Sequence, residues 1–294
     1  EGKQMTEFGL LRRKGIIAFT DGIKTVQDPQ VMARIMSFAS QSEALIMQHA
    51  EDNILSKNGL INEGEISTRL GLQGIPSLAE KIIVERDLAL LEEYFCKYHI
   101  SQISSEKTIS VIKRAKKEGK IFTTGVSINN LSLNENDIGD FKTFLKLSPP
   151  LRTENDRESL VQGINDGVID VIVSDHKPED EESKRLTFAQ AATGASGVET
   201  LLSLTLELFH NKSVKLNQLI ASITSNPANI LGIDKGSLKK GYDADFCIFD
   251  INKPWVINKN KLISKSKNTP IEDRKLQGQV LKTFIKGELA YERI

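Results

Sequence analysis

Residues 154–176, ENDRESLVQGINDGVIDVIVSDH, decide how this chain folds. The first part, Glu154–Asn165, has apolar residues at helical spacing, and Asp166-Gly167 then marks the end of the helix. The β-branched run Asp170–Ser174 follows at once, and Ser174-Asp175-His176 places polar side chains where that strand ends. A helix that leads directly into a buried strand is the repeating unit of a parallel α/β sheet.

The same alternation extends through the first 175 residues. The predicted strands are Gly15–Thr20, Ala44–His49, Tyr98–Ile103, Ile121–Ser127, Thr143–Leu147 and Asp170–Ser174. The predicted helices between them are Pro29–Ser40, Ser77–Lys97, Ile109–Lys117 and Glu154–Asn165. The strands are nearly continuous apolar runs, which is typical of a sheet buried on both faces. Five or six such units fit most of a (β/α)8 TIM barrel, so the predicted fold class is α/β.

The end of the chain has a different pattern. Two more helices are predicted at Val198–His210 and Leu216–Ser222. Alternating strands follow at Ala244–Asp250, Trp255–Ile257 and Val280–Tyr291, the last with a turn at Lys286-Gly287. The sequence therefore predicts two parts, an α/β barrel over residues 1–235 and a small β-sheet segment over residues 236–294.

Composition narrows the classes of function. The chain has 294 residues with 39 basic and 39 acidic side chains, so its formal net charge is zero and a nucleic-acid or anionic-membrane surface is not expected. The sequence contains no apolar run long enough to span a bilayer, and no signal peptide is expected. Two cysteines are too few for a disulfide framework, and a cytoplasmic protein is expected. Because the chain begins at Glu1 with a helix-like segment, we expect residues upstream of it.

Polar side chains concentrate at the predicted strand ends, where functional groups lie in a barrel. Three of the four histidines, His49, His99 and His176, lie at or beside such ends, whereas His210 ends an amphipathic helix and is interpreted as structural. Metal ligation and buried, hydrogen-bonded histidine both remain open as interpretations.

Several motifs, taken in order, carry a resemblance to a known family. They are Asn62-Glu63-Gly64-Glu65, Arg69–Pro76 (RLGLQGIP), Ser148–Arg152 (SPPLR), Asp166–Asp170 running into Ser174-Asp175-His176, Gly197–Thr200 (GVET), Asn226-Pro227-Ala228 and Ser264–Pro270 (SKSKNTP). Over essentially its whole length the chain resembles class I dihydroorotases of the amidohydrolase superfamily. The resemblance implies an amidohydrolase TIM barrel that lacks about 100 N-terminal residues, with a C-terminal β segment belonging to a small composite domain.

Dihydroorotases open the ring amide of dihydroorotate with one or two zinc ions, a metal-bound hydroxide and a carboxylate base. By this resemblance His49 and Asp175 are metal ligands, and Asp175 is also the catalytic carboxylate. Gly22 stands where the family has a ligating Asp, and Gln102 stands where it has a ligating His. The substrate-contacting positions of the family correspond to Asn130, Ser148 and Glu179.

Zinc needs three protein ligands and one open position, with imidazole, thiolate or carboxylate donors. Gly22 offers no side chain and Gln102 offers only a neutral amide. In the family a His-x-His on the first strand, which corresponds to a position upstream of Glu1, supplies two more ligands, and with His49 and Asp175 these would complete a site for one ion. The resemblance therefore implies one zinc ion at most, or none, and a bridged pair of metals is not expected. Lys177 is a candidate to pair with Asp175 or Glu179 and so to replace the positive charge of the metal.

Two functions follow from the resemblance. The favoured one is a dihydroorotase-like, non-catalytic subunit that serves as a scaffold for aspartate transcarbamoylase in pyrimidine biosynthesis. The alternative is an active zinc-dependent dihydroorotase in which Asp175 is the base and His49 binds a single ion. Structural roles remain open for both residues, Asp175 as a loop cap and His49 as an interior histidine. A homo-oligomer is expected in either case.

Overall fold

The computed structural model describes residues 2–293, so Glu1 and Ile294, the outer bounds of the two predicted parts, lie outside the described residues. The strands in this range are β1 (Ala18–Phe19), β2 (Leu45–Gln48), β3 (Ile61–Asn62), β4 (Gly74–Ile75), β5 (Lys97–Ile100), β6 (Thr123–Ser127), β7 (Val171–Val173), β8 (Phe246–Val256), β9 (Lys275–Ile285) and β10 (Glu288–Glu292). The α-helices are α1 (Phe8–Arg13), α2 (Pro29–Ser42), α3 (Glu65–Leu70), α4 (Ser77–Glu93), α5 (Glu106–Lys117), α6 (Ile128–Ser132), α7 (Glu154–Asn165), α8 (Glu181–Lys184), α9 (Leu201–His210), α10 (Leu216–Ile223) and α11 (Ser225–Leu231).

A parallel five-stranded sheet forms the centre of the molecule, with the strand order β1-β2-β5-β6-β7. These five strands lie in the sheet in their order along the chain, with helices α2, α4, α5 and α7 between them in sequence, and β3 and β4 form a separate two-stranded sheet. An isolated parallel bridge between His176 and Ala195 lies beyond β7. Sequential parallel strands joined through helices are the arrangement of a TIM barrel, which agrees with the predicted fold class.

Helix α2 shows how the sequence fixes these elements. Asp28 precedes it, and its Oδ1 accepts hydrogen bonds from the backbone N–H groups of Gln30 and Val31, while Pro29 occupies the first helical position. Met32 and Met36 are fully buried in the main core. None of the helices within residues 2–293 combines the length and apolar character that crossing a bilayer requires.

The predicted strand Thr143–Leu147 is wrong. Thr143–Leu145 form a single 3-10 turn, and the chain then reaches the cis peptide bond between Ser148 and Pro149. Leu145 and Leu147 are buried, which produced the strand-like pattern, but Lys146 is buried as well. Its ammonium group donates to backbone carbonyls of another segment, an arrangement that a pattern of apolar residues does not reveal.

The C-terminal residues form a separate antiparallel sheet with the order β10-β9-β8. The prediction of two strands at Ala244–Asp250 and Trp255–Ile257 is corrected, because β8 is one strand with irregular pairing between Asp250 and Pro254. The turn at Lys286-Gly287 joins β9 to β10 as expected. Helix α9 contacts this sheet through Ser203, whose hydroxyl donates 2.6 Å to the carbonyl of Gly278. The boundary after residue 235 stays a prediction.

Candidate functional site

The carboxyl ends of β2, β5, β6 and β7 bring four polar side chains together. His49 directly follows β2, Gln102 lies two residues beyond β5, Ser127 ends β6, and Asp175 lies two residues beyond β7. The backbone N–H of Ser101 donates to the carbonyl of Gln48, so the first two strand ends stay in register. We refer to His49, Gln102, Ser127 and Asp175 as the strand-end cluster.

Asp175 is the acceptor at the centre of the strand-end cluster. Its Oδ1 accepts a hydrogen bond of 3.0 Å from the Gln102 amide, and its Oδ2 accepts one of 3.3 Å from the Ser127 hydroxyl. Its backbone adopts a φ of 48°, in the left-handed region that Asp and Asn tolerate better than most residues. Burial raises the pKa of Asp175, and the two hydrogen bonds and the nearby His49 oppose this rise only in part.

His49 is buried and pairs with a second carboxylate on its own loop. Its Nε2 lies 3.9 Å from Oε2 of Glu51. Burial works to raise the pKa of Glu51, but hydrogen bonding to His49 and Ser56, with the nearby Arg152, outweighs it, so the pKa is lowered. Glu51 is therefore a carboxylate at neutral pH, and His49 pairs with it and is also close enough to Asp175 to lower the pKa of that carboxyl.

A buried arginine lies behind this loop. The Nη1 atom of Arg152 donates 2.8 Å to the side-chain oxygen of Asn62, and Nε donates 3.1 Å to the hydroxyl of Ser104. Glu80 on α4 accepts from Ser104 as well, and Glu135 accepts 2.6 Å from Asn62. The guanidinium thus joins β3, the loop after β5 and the loop after α6, which are far apart in sequence.

Among residues 2–293, the side chains of Asn130 and Glu179, which are predicted to contact substrate, have partners other than the strand-end cluster. Asn130 is buried, and its amide donates 2.9 Å to the carbonyl of Pro150, next to the cis bond that follows Ser148. Glu179 lies 3.7 Å from the ammonium group of Lys177. Of the two partners proposed for Lys177, the ion pair is therefore with Glu179, while Asp175 receives its hydrogen bonds from Gln102 and Ser127.

The other histidines occupy different places. His99 lies within β5, and its Nδ1 is 2.8 Å from the hydroxyl of Thr123 at the start of β6, so it points away from the strand-end cluster. Burial lowers the pKa of His99 to about 4. The ring nitrogen Nδ1 of His176 accepts from the backbone N–H of Gly197 at 3.2 Å, and His210 contacts the carbonyl of Ile251 at 2.8 Å.

The donors near Asp175 do not by themselves fit a zinc site. His49 and Asp175 are the imidazole and carboxylate groups of the cluster, and Gln102 directs an N–H rather than an oxygen toward Asp175. Gly22 is exposed, with open space around the place of a β-carbon. Within residues 2–293, no three His, Cys, Asp or Glu side chains form a group that could hold a metal ion. Two donors are fewer than the three that zinc requires from a protein.

Comparisons with known proteins agree on one family for this chain. Residues 12–290 match the amidohydrolase family. The chain is 42% identical to a dihydroorotase of Ehrlichia canis, over 99% of this chain and 65% of that protein. It is 40% identical to a dihydroorotase of Syntrophus aciditrophicus, over 99% of this chain and 68% of that protein. The chain thus spans about two thirds of the length of the relatives that it matches.

Solved structures share the fold at lower identity. An L-hydantoinase (dihydropyrimidinase) from Arthrobacter aurescens superposes with a TM-score of 0.84 at 23% identity, over 97% of this chain and 67% of that one. A dihydropyrimidinase from Brevibacillus agri superposes with a TM-score of 0.86 at 20% identity, over 98% and 68%. These likenesses support the α/β barrel and nothing more specific.

Proposed function

We propose, because this chain belongs to the amidohydrolase family and within it to the dihydroorotases, that it serves pyrimidine biosynthesis as a non-catalytic, dihydroorotase-like subunit. In this role it is a scaffold for aspartate transcarbamoylase, located in the cytoplasm and assembled as a homo-oligomer. The chain has the fold of the family, and its surface can bind a partner protein whether or not the residues at the strand ends are catalytic.

The hydrogen bond from Gln102 to Asp175 carries this proposal. A carboxylate that binds a metal offers its lone pairs to the ion, whereas both oxygens of Asp175 accept from N–H and O–H donors here. Gly22, which lies just after β1, has no side chain that could bind a metal ion. Gln102 and Ser127 satisfy the carboxylate of Asp175, and His49 pairs with Glu51, which supports a structural role for this part of the barrel.

The charge near the predicted substrate positions points the same way. Dihydroorotate is an anion, and Glu179 places a carboxylate where the family resemblance implies a substrate contact. The ion pair with Lys177 offsets this charge but also engages the nearest lysine of the loop. An anionic substrate therefore gains little electrostatic attraction from this loop.

The test uses the full-length protein and aspartate transcarbamoylase of the same organism. Hydrolysis of dihydroorotate is assayed with and without added zinc, and association is measured by sedimentation velocity. We expect a complex and no hydrolysis above that of the Asp175→Asn variant. The double variant His49→Ala/Asp175→Ala should bind the transcarbamoylase as wild type does.

Two results would overturn the proposal. Zinc-dependent hydrolysis that is lost in both His49→Ala and Asp175→Asn would establish the alternative, an active dihydroorotase. Failure of the full-length protein to associate with the transcarbamoylase at micromolar concentration would remove the scaffold role.

A further inference from the structure

Two buried lysines donate hydrogen bonds to the backbone of one irregular segment beside the strand-end cluster. The ammonium group of Lys146 donates 2.9 Å to the carbonyl of Ala189 and 2.8 Å to that of Ala191. The ammonium group of Lys184 donates 2.8 Å to the carbonyl of Ala192 and 3.0 Å to that of Gly194. We refer to residues 188–197 as the lysine-held segment.

Both lysines are deeply buried, with 7% of Lys146 and 1% of Lys184 exposed. Their acceptors are backbone carbonyls rather than carboxylates, and Lys146 also lies 5.9 Å from the ring centroid of Phe188. A buried ammonium without a carboxylate partner is costly unless dipoles replace its water shell. The four carbonyls supply those dipoles, and the two ammonium groups in turn hold the segment at four points between residues 189 and 194.

The lysine-held segment supports the loop that contains Asp175. Ala195 forms the parallel bridge with His176 and accepts a backbone hydrogen bond of 2.8 Å from Lys177. A β-carbon at Gly197 would overlap the carbonyl oxygen of Ser174, so the two backbones are in direct contact there. The amide N–H of Gly197 also donates to the ring of His176.

We propose that Lys146 and Lys184 are positioning residues whose ammonium groups act as internal cations, folding residues 188–197 into the conformation that supports the Asp175 loop. Asn268 assists from the SKSKNTP motif, since its amide donates 3.1 Å to the carbonyl of Gly194, which Lys184 also contacts. This role is independent of metal binding and of any partner protein.

The charge state is compatible with this role at neutral pH. Burial lowers the pKa of Lys184 to about 8, with Glu179 opposing the shift and Lys146 and Lys177 adding to it. Burial also lowers the pKa of Lys146. At pH 7 the Lys184 side chain is therefore mainly the ammonium ion that the carbonyls require.

Amide hydrogen exchange in Lys184→Met and Lys146→Met tests the proposal, with Lys142→Met, an exposed lysine nearby, as the matched control. The reporting amides are those of Ala192, Gly194, Ser196 and Lys177. The first three donate backbone hydrogen bonds from the segment to the carbonyls of Ser183, Lys146 and Asn268, and Lys177 donates to the carbonyl of Ala195 in the segment. We expect about tenfold or greater acceleration of their exchange in the two test variants and no change in the control. The Nδ1 resonance of His176 should shift in the same variants.

Rescue separates a cation from simple packing. In Lys184→Ala, ethylammonium chloride should slow exchange of these amides toward the wild-type rates, whereas sodium chloride at equal ionic strength should not. Unchanged exchange in folded Lys184→Met and Lys146→Met would overturn the proposal. Acceleration that is equal throughout α5 (Glu106–Lys117) would also overturn it, because that result reports a global loss of stability.

A measurement on the wild type covers the case in which the variants do not fold. At pH 7 the Nζ hydrogens of two lysines should exchange slowly enough to appear in nitrogen-resolved NMR spectra and should show contacts to residues 189–194. Rapid exchange of every lysine ammonium would overturn the proposal. These readouts require neither dihydroorotate nor a transcarbamoylase, so they can fail or succeed separately from the proposed function.

Discussion

The side-chain amide of Gln102, just beyond β5, donates a 3.0 Å hydrogen bond to Oδ1 of Asp175, just beyond β7, across the end of the intervening strand β6. This contact gives a carboxylate at a barrel strand end a proton donor as its partner. The Ser127 hydroxyl provides a second donor from β6, the strand between the two. The carboxylate is thereby held without requiring a cation.

Restoring ligands should restore metal affinity. In Gln102→His/Gly22→Asp, imidazole and carboxylate donors join His49 and Asp175, and Gly22 has room for a side chain at a φ of 68° that Asp tolerates. We expect zinc affinity about 100-fold or more above that of the wild type, measured by competition with a chromophoric chelator. Adding Asp175→Asn should abolish the gain. One equivalent of zinc retained by the dialysed wild-type chain would contradict the basis of this prediction.

Removal of the Arg152 guanidinium should destabilise the fold strongly. Arg152→Met leaves the side chains of Asn62 and Ser104 without a donor and leaves Glu80 and Glu135 without their neighbouring cation. We expect a loss of about 3–5 kcal/mol in the free energy of unfolding, measured by urea denaturation.

The matched control is Arg114→Met. Arg114 is 64% exposed and pairs with Glu85 at 3.4 Å, so the expected change is within about 0.5 kcal/mol. Equal effects of the two substitutions would show that burial of Arg152 does not decide its contribution.

The parallel sheet was predictable from sequence because each of its strands is a short apolar run that follows a helix with a defined end. The meeting of His49, Gln102 and Asp175 was also predictable, since residues just after parallel strands lie at one edge. The error at Thr143–Leu147 has a physical cause: Lys146 satisfies its charge with carbonyls from residues 189 and 191. No local pattern encodes a contact between segments more than 40 residues apart.

Other parts of the site were missed for a similar reason. Ser127 belongs to a predicted strand, but its bond to Asp175 depends on a side-chain orientation that alternates along β6. His99 lies beside the end of β5, one residue before it, but its ring contacts Thr123 and not the strand-end cluster. A shift of one residue along a strand moves a side chain to the opposite face.

His99 should make the protein sensitive to mild acid. The pKa of His99 is about 4 in the folded protein, against its ordinary value of 6.5. Between pH 6.5 and pH 4 the imidazole is therefore protonated in the unfolded chain but neutral in the folded protein. Stability is therefore lost as the pH falls from 6.5 to 4, by up to about 3 kcal/mol from this residue. The difference in unfolding free energy between His99→Gln and wild type, measured at pH 7, 6, 5 and 4, should shift in favour of the variant. A difference that is constant with pH would rule out this contribution.

Replacement of Gly125 by alanine should destabilise the fold, whereas the same replacement at Gly9 should not. A β-carbon at Gly125 would overlap the carbonyl oxygen of Ser101 and lie 3.2 Å from Nε2 of His99, whereas one at Gly9 meets nothing within 4 Å. Because the backbone of Ser101 cannot yield as a side chain can, Gly125→Ala should cost about 1–3 kcal/mol of unfolding free energy. Gly9→Ala lies in helix α1 and should instead stabilise by about 0.4–1 kcal/mol. Thermal and urea denaturation of the two variants gives both signs in one experiment, and a neutral Gly125→Ala would mean that β5 and β6 can move apart at this point.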